Sequence, residues 1–279
     1  MRQQSYDEYD TAWRSVIDSV KALTSQKKEE NLARILNLLA RPPEPNPNAD
    51  LLDRYGYRFC GRRLTGIPNY YYEAPLFDLL LQQELLRAID SDTRNIMELG
   101  SGYSRNLFRL WLNGGPNDAS YVGAEFTAGG RECASLLASL ERRINFSSVP
   151  FDYYQPNVTG FDVNKKTFVF TCYSIEQIPT ISDRLFEILL SIPGLYRAVH
   201  FEPVGWQRKV QKPLPFTGES RLLAATRMSA QELQYNPNLL ETLDRLEADK
   251  KIVIESVKYD FLAHRPNLPG TLIVWRPYR

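Results

Sequence analysis

Three acids and a glycine turn carry most of the chemistry this chain could do. The run Asn95-Ile96-Met97-Glu98-Leu99-Gly100-Ser101-Gly102-Tyr103-Ser104-Arg105-Asn106 ends an apolar stretch in an acid and then turns through Gly-x-Gly. Leu107, Phe108, Leu110 and Trp111 follow at helical spacing. Strand, tight turn and helix start are expected in that order. Gly100 and Gly102 permit backbone angles and a close ligand approach that a Cβ would block. The helix start offers unpaired N–H groups and a positive dipole end, which suits an anionic or carboxylate-bearing ligand. The stretch describes the floor of a nucleotide-type cofactor site.

The elements that must position this turn alternate along the chain. Strands are expected at Asn95–Leu99, Tyr121–Glu125, Ile144–Val149, Thr167–Thr171 and Ala198–Glu202. Helices are expected near Ser104–Asn113, Gly129–Arg143 and Asp183–Ile192, with an earlier one over Pro75–Ile89. Such alternation predicts a parallel sheet covered on both faces. Lys251–Tyr259 and Thr271–Arg276 read as a terminal hairpin around a loop holding Pro266, Asn267, Pro269 and Gly270. Its last strand is therefore expected to be antiparallel. The insertion 206–249 before the hairpin is helix-prone. At the other end, Tyr9, Trp13, Val16, Ile17, Val20 and Leu23 recur at helical steps, and Leu32, Ile35, Leu36, Leu38 and Leu39 repeat the pattern. A Pro-rich linker over 41–48 stops it. The division expected is 1–69, a helical accessory region, and 70–279, the main domain.

Ligands of open α/β sheets sit beyond the carboxyl ends of the strands. Those ends supply Glu98, Gly100, Ser101, Gly102 and Asn106 first, then Glu125 with Phe126 and Thr127. Phe151 and Asp152 come third, and Thr171, Cys172, Tyr173, Ser174 and Glu176 fourth. The fifth end is Glu202. Glu125 could accept from ribose hydroxyls, and Asp152 from an adenine amino group under neighbouring aromatic rings. Asp152 could equally cap the turn Tyr153–Pro156. Cys172 reads most simply as a small pocket wall, and His200 as a buried strand residue.

Taken together, these residues resemble the class I (Rossmann-like) S-adenosylmethionine-dependent methyltransferases. The matches are Glu98–Gly102 for the glycine motif, Glu125 for the ribose acid, Asp152 for the adenine contact, and Ser174–Pro179 beside the methionine part of the cofactor. The resemblance implies a mostly parallel, seven-stranded sheet with an antiparallel last strand, and S-adenosyl-L-methionine as cofactor. It covers roughly 71–279. A nicotinamide-dependent oxidoreductase also places an acid after its second strand, but its fingerprint wants a third glycine where this chain has Arg105. A catalytically silent scaffold of the same fold is the other alternative.

Methyl transfer is an in-line displacement that needs alignment and a dry site. A hydroxyl acceptor also needs a base or a metal. Glu202 is the first base candidate, then Glu176, then His264. No metal cluster is legible, so no obligatory metal is expected. Tyr71, Tyr72 and Trp206 are the aromatic candidates for contact with a small-molecule acceptor, and a sugar or natural-product hydroxyl is the class implied by the family. The net charge of +1 gives no argument for nucleic acid or an anionic membrane surface. Three cysteines, which leave one unpaired in any disulfide scheme and have no metal spacing, and no apolar leader in the first residues, fit a cytoplasmic setting. The N-terminal helices are expected to cover the site or to form a homodimer.

Overall fold

The computed structural model of the chain describes residues 2–25, 31–40, 57–59, 62–64, 77–208, 218–265 and 268–279. The expected linker 41–48 and the aromatic segment with Tyr71 and Tyr72 lie outside the described residues, as do Pro266 and Asn267.

Eight α-helices and nine strands are described. The helices are α1 (Arg2–Ser25), α2 (Leu32–Leu39), α3 (Phe77–Ala88), α4 (Arg105–Leu112), α5 (Ala128–Ala138), α6 (Asp183–Leu190), α7 (Gly218–Glu232) and α8 (Leu239–Ala248). The strands are β1 (Tyr57–Phe59), β2 (Arg62–Leu64), β3 (Asn95–Leu99), β4 (Ser120–Glu125), β5 (Phe146–Pro150), β6 (Thr167–Cys172), β7 (Leu195–Glu202), β8 (Ile252–Arg265) and β9 (Leu268–Pro277). Hydrogen-bonded neighbours follow the order β2-β1-β8-β9-β7-β6-β3-β4-β5. Strands β3 to β9 give the expected seven-stranded arrangement. The short strands β1 and β2 extend its edge beside β8, with Phe59 opposite Leu262.

The chain divides into two compact units. One contains residues 1–41, 81–170 and 184–197, and the other 42–80, 171–183 and 198–279. In the first unit, β4 runs parallel between β3 and β5, with Leu99 opposite Ala124 and Glu125 opposite Pro150. Every residue of β3 is buried, and all of β4 after Ser120. Burial of successive residues means that both sheet faces are covered, as a parallel sheet requires. Helix α4 contributes Leu107, Phe108, Leu110 and Trp111 to the core. Helix α1 buries Ile17 and Val20, its three-step pair.

In the second unit, β9 pairs antiparallel with both β7 and β8. The antiparallel last strand is therefore as expected, but the hairpin strands are longer than the sequence suggested. Pro269 and Gly270 belong to β9 and not to the loop. Pro269 sits near the strand's start, where a missing donor is tolerated. A Cβ on Gly270 would lie 2.6 Å from the Phe201 ring, so glycine lets β9 pass that side chain. The insertion is broken into α7 and α8 at Asn236–Asn238, where Pro237 cannot continue a helix.

Candidate functional site

In the first unit, the turn after β3 needs glycine at two places. Gly100 and Gly102 have φ of 68° and 53°, the left-handed region that a Cβ disfavours. The amides of Gly100 and Ser101 both donate to the Ala124 carbonyl, which fastens the turn to the end of β4. Ser101 is buried, and its hydroxyl accepts from Ser104. Glu98 is buried in β3, and Oε1 accepts from the Asn106 side-chain amide at 2.7 Å in the first turn of α4.

Glu125 is the centre of this arrangement. Oε2 accepts from the Gly102 amide at 2.8 Å, while Oε1 accepts from the Thr127 amide and hydroxyl at 2.9 and 2.7 Å. A carboxylate offers about four acceptor positions, so three bonds leave one, on Oε2. Thr127 also caps α5 through Gly130. A Cβ on Gly130 would meet Glu125 Cγ at 2.8 Å and the Gly102 carbonyl at 3.0 Å. Thr127 is legible in the sequence at this strand end, but Gly130 is not singled out there, although a glycine pair opening a helix is a sign of close approach.

At the end of β5, Phe151 and Tyr153 meet edge to face at 4.9 Å. The Tyr153 hydroxyl donates to the Leu99 carbonyl. Asp152 is half-buried and its Oδ1 accepts from the Tyr154 amide, so it does cap its own turn.

Helix α1, which the sequence reads as a cover for the site or a dimer surface, meets the same turn. The Tyr6 hydroxyl accepts from the Ala128 amide, and Asp10 accepts from the Gly129 amide. Tyr6 stands edge-on to Phe126 at 5.0 Å, and Trp13 edge-on to Tyr103 at 5.3 Å. Asp10 also pairs with Arg14 at 2.7 Å. Burial raises the Asp10 pKa, but the Gly129 amide and Arg14 outweigh it and the net shift is downward.

These observations meet the comparison with solved structures. The chain is similar to geranyl diphosphate C-methyltransferase from Streptomyces coelicolor A3(2) in complex with Mg2+, geranyl diphosphate and S-adenosyl-L-homocysteine. The TM-score is 0.52 at 13% identity, over 84% of this chain and 99% of that one. A complex of that enzyme with geranyl-S-thiolodiphosphate gives 0.51 at 14% identity, over 88% and 97%. This is the class I methyltransferase fold. By sequence, no family model and no curated protein matches the chain.

In the second unit of this methyltransferase fold, Glu202 ends β7 completely buried. Its carboxylate accepts from the Ser174, Ile175 and Glu176 amides at 3.1–3.3 Å and from the Thr171 hydroxyl. Burial pushes its pKa up to about 7 against these bonds. The chain of bonds continues inward. Thr171 Oγ1 lies 3.0 Å from His200 Nδ1, and the Trp275 indole donates to His200 Nε2 at 2.9 Å. Nε2 thus accepts, Nδ1 carries the proton, and the Thr171 hydroxyl proton turns to Glu202. His200 is a buried core residue, and burial holds its pKa down at about 3.

Tyr173 sits at φ 49° and its ring packs 5.4 Å from Phe201. Glu176 is buried, and its Oε1 accepts from Gln177. Cys172 is half-buried. Trp206 is half-buried in a short 3-10 turn. His264 lies in β8, not in a loop, and its side chain is outside the described residues. Among the described residues no group of three or more His, Cys, Asp or Glu could hold a metal ion. No helix among them is long and apolar enough to cross a membrane.

Proposed function

We propose that this chain is an S-adenosylmethionine-dependent methyltransferase acting on a small-molecule acceptor. The observation that carries the reading is the Gly100–Gly102 turn in left-handed backbone, fastened to the ends of β3 and β4. The cofactor, when bound, supplies an electrophilic methyl group on sulfur. Glu125 would accept one ribose hydroxyl at the position left on Oε2, while its other bonds keep the turn in place. Gly100 and Gly102 let the backbone approach closely, and Phe151 and Asp152 would flank the base.

In the same reading, Thr171, Cys172 and Tyr173 line the far part of the cofactor. Tyr71, Tyr72 and Trp206 serve the acceptor. Transfer to a hydroxyl of a sugar or natural-product intermediate is the finer reading carried from the family, and it needs a base. Glu202 has its acceptor positions filled by amides and a hydroxyl, so we assign it to positioning and the proton to Glu176, on the turn that Glu202 holds. A cytoplasmic setting rests on the three cysteines, an odd number that leaves one unpaired in any disulfide scheme.

Calorimetry with S-adenosylmethionine, S-adenosylhomocysteine and NADH in parallel tests the reading. Micromolar binding of the first two and none of NADH supports it. Binding of NADH alone replaces it with the oxidoreductase reading, and binding of none replaces it with a scaffold.

A further inference from the structure

We propose that Trp13, on the N-terminal helix, is a cofactor-binding residue whose indole N–H donates to an oxygen of the nucleoside ligand at the Gly100–Gly102 turn. The inference rests on the methyltransferase reading and adds to it a wall from the accessory helix. Three observations converge on Trp13. Its ring lies against Gly102: a Cβ there would come 2.9 Å from Cζ2, 3.3 Å from Cη2 and 3.4 Å from Cε2. Cε2 carries Nε1, so the indole nitrogen is one bond from an atom that packs against the turn. Nε1 is buried and has no hydrogen-bond partner among the described residues. A buried indole N–H ordinarily finds an acceptor, because leaving it unpaired costs free energy.

The helix is fixed so that this edge stays in place. Tyr6 and Asp10, two turns and one turn before Trp13, accept from the amides of Ala128 and Gly129 at the start of α5. That start directly follows Glu125, the acid at the ribose position. Tyr9 stacks on Trp13 at 6.2 Å and Tyr103 meets it edge-on at 5.3 Å. Helix α1 therefore spans both segments that a nucleoside ligand must touch, the glycine turn and the β4–α5 connection. The ligand chemistry that fits is an oxygen acceptor, a ribose hydroxyl or a carboxylate, on a nucleoside lying over Gly102.

Trp13→Phe keeps the ring and removes only the donor. Calorimetry with S-adenosylhomocysteine on the full chain should show about a tenfold weaker affinity than the native protein. The indole N–H cross-peaks in a nitrogen–proton correlation spectrum give a second readout. There are four tryptophans, and the peak missing in Trp13→Phe identifies Trp13. That peak should move on adding S-adenosylhomocysteine to the native protein. The rest of the spectrum reports whether the variant is folded. If Trp13→Phe is folded, binds equally well, and the native peak does not move, Trp13 is a packing residue and the proposal is overturned while the methyltransferase reading stands. If the native protein binds no S-adenosylhomocysteine, that reading fails and the proposal with it. Should Trp13→Phe not fold, a stationary native peak at saturating ligand overturns the proposal and a moving one supports it.

Discussion

Glu125 has two duties that one substitution would remove together. It anchors the Gly102 amide and the Thr127 cap, and in the proposed function it would offer its remaining acceptor to a ribose hydroxyl. Each bond to a charged group contributes about 1.5–3 kcal/mol. Glu125→Ala is expected to weaken S-adenosylhomocysteine binding tenfold or more and to lower the unfolding midpoint in urea. An unchanged affinity in calorimetry would take Glu125 out of the site. Gly102→Ala is a sharper probe of geometry. The new methyl meets Trp13 at 2.9 Å on a left-handed backbone, so both the turn and α1 must yield. A loss of about 1–3 kcal/mol of stability is expected, from overpacking and backbone strain combined. A variant with native stability would show that α1 yields freely at this point.

At the scale of elements, two polar anchors hold pieces that hydrophobic patterning alone would leave loose. The first is Asp10 on α1. It accepts from the Gly129 amide, so it acts as a cap donated from another helix, in the region where the α5 dipole favours negative charge. Asp10→Ala should cost about 1 kcal/mol and shorten the hydrogen-exchange protection of α1 relative to β3 and β4. Equal protection in both proteins would mean that Ile17 and Val20 hold the helix unaided. The second is Asn236 between α7 and α8, fully buried. Its Nδ2 donates to the Ile178 carbonyl, its Oδ1 accepts from the amides of Asn238 and Leu239, and its own amide donates to the Glu176 carbonyl. It thus ties the start of α8 to the turn carrying Glu176. Asn236→Ala orphans buried amides and should lower stability by about 2–3 kcal/mol, measured by urea unfolding. A change under 0.5 kcal/mol would show that water or the backbone replaces it.

At the scale of the whole molecule, the buried Glu202–Thr171–His200–Trp275 chain sets a pH signature. His200 has its pKa lowered from 6.5 to about 3, so its contribution is present above 6.5 and is lost as pH falls toward 3. Glu202 has its pKa raised from 4.5 to about 7, so its contribution is present below 4.5 and is lost as pH rises through 7. Between 4.5 and 6.5 the two slopes oppose each other. Glu202→Gln removes one of them. Its melting temperature should climb more steeply than that of the native protein over that interval, by up to a few kcal/mol in stability terms. Parallel curves would show that Glu202 does not titrate in this window.

The amino-acid sequence by itself determined the alternation of strands and helices, the glycine turn after β3, the acids at the ends of β4 and β7, and the antiparallel last strand. All of these are local: periodicity of 2.0 or 3.6, glycine where φ must be positive, and proline where a helix must stop. Only the tertiary structure decided what each acid is bonded to. Glu202 reads in sequence as an available base, and the fold fills it with amides from a turn 26–28 residues away. His200 reads as a buried strand residue, and the fold supplies what the sequence could not, its partners Thr171 and Trp275, with burial keeping it neutral. Helix α1 reads in sequence as a cover for the site or a dimer surface without named partners, and the fold sets Tyr6, Asp10 and Trp13 against partners 89 or more residues away in the chain. Hydrophobic spacing says which face of a helix is buried and says nothing of its partner. That choice depends on hydrogen bonds and close packing between segments distant in sequence.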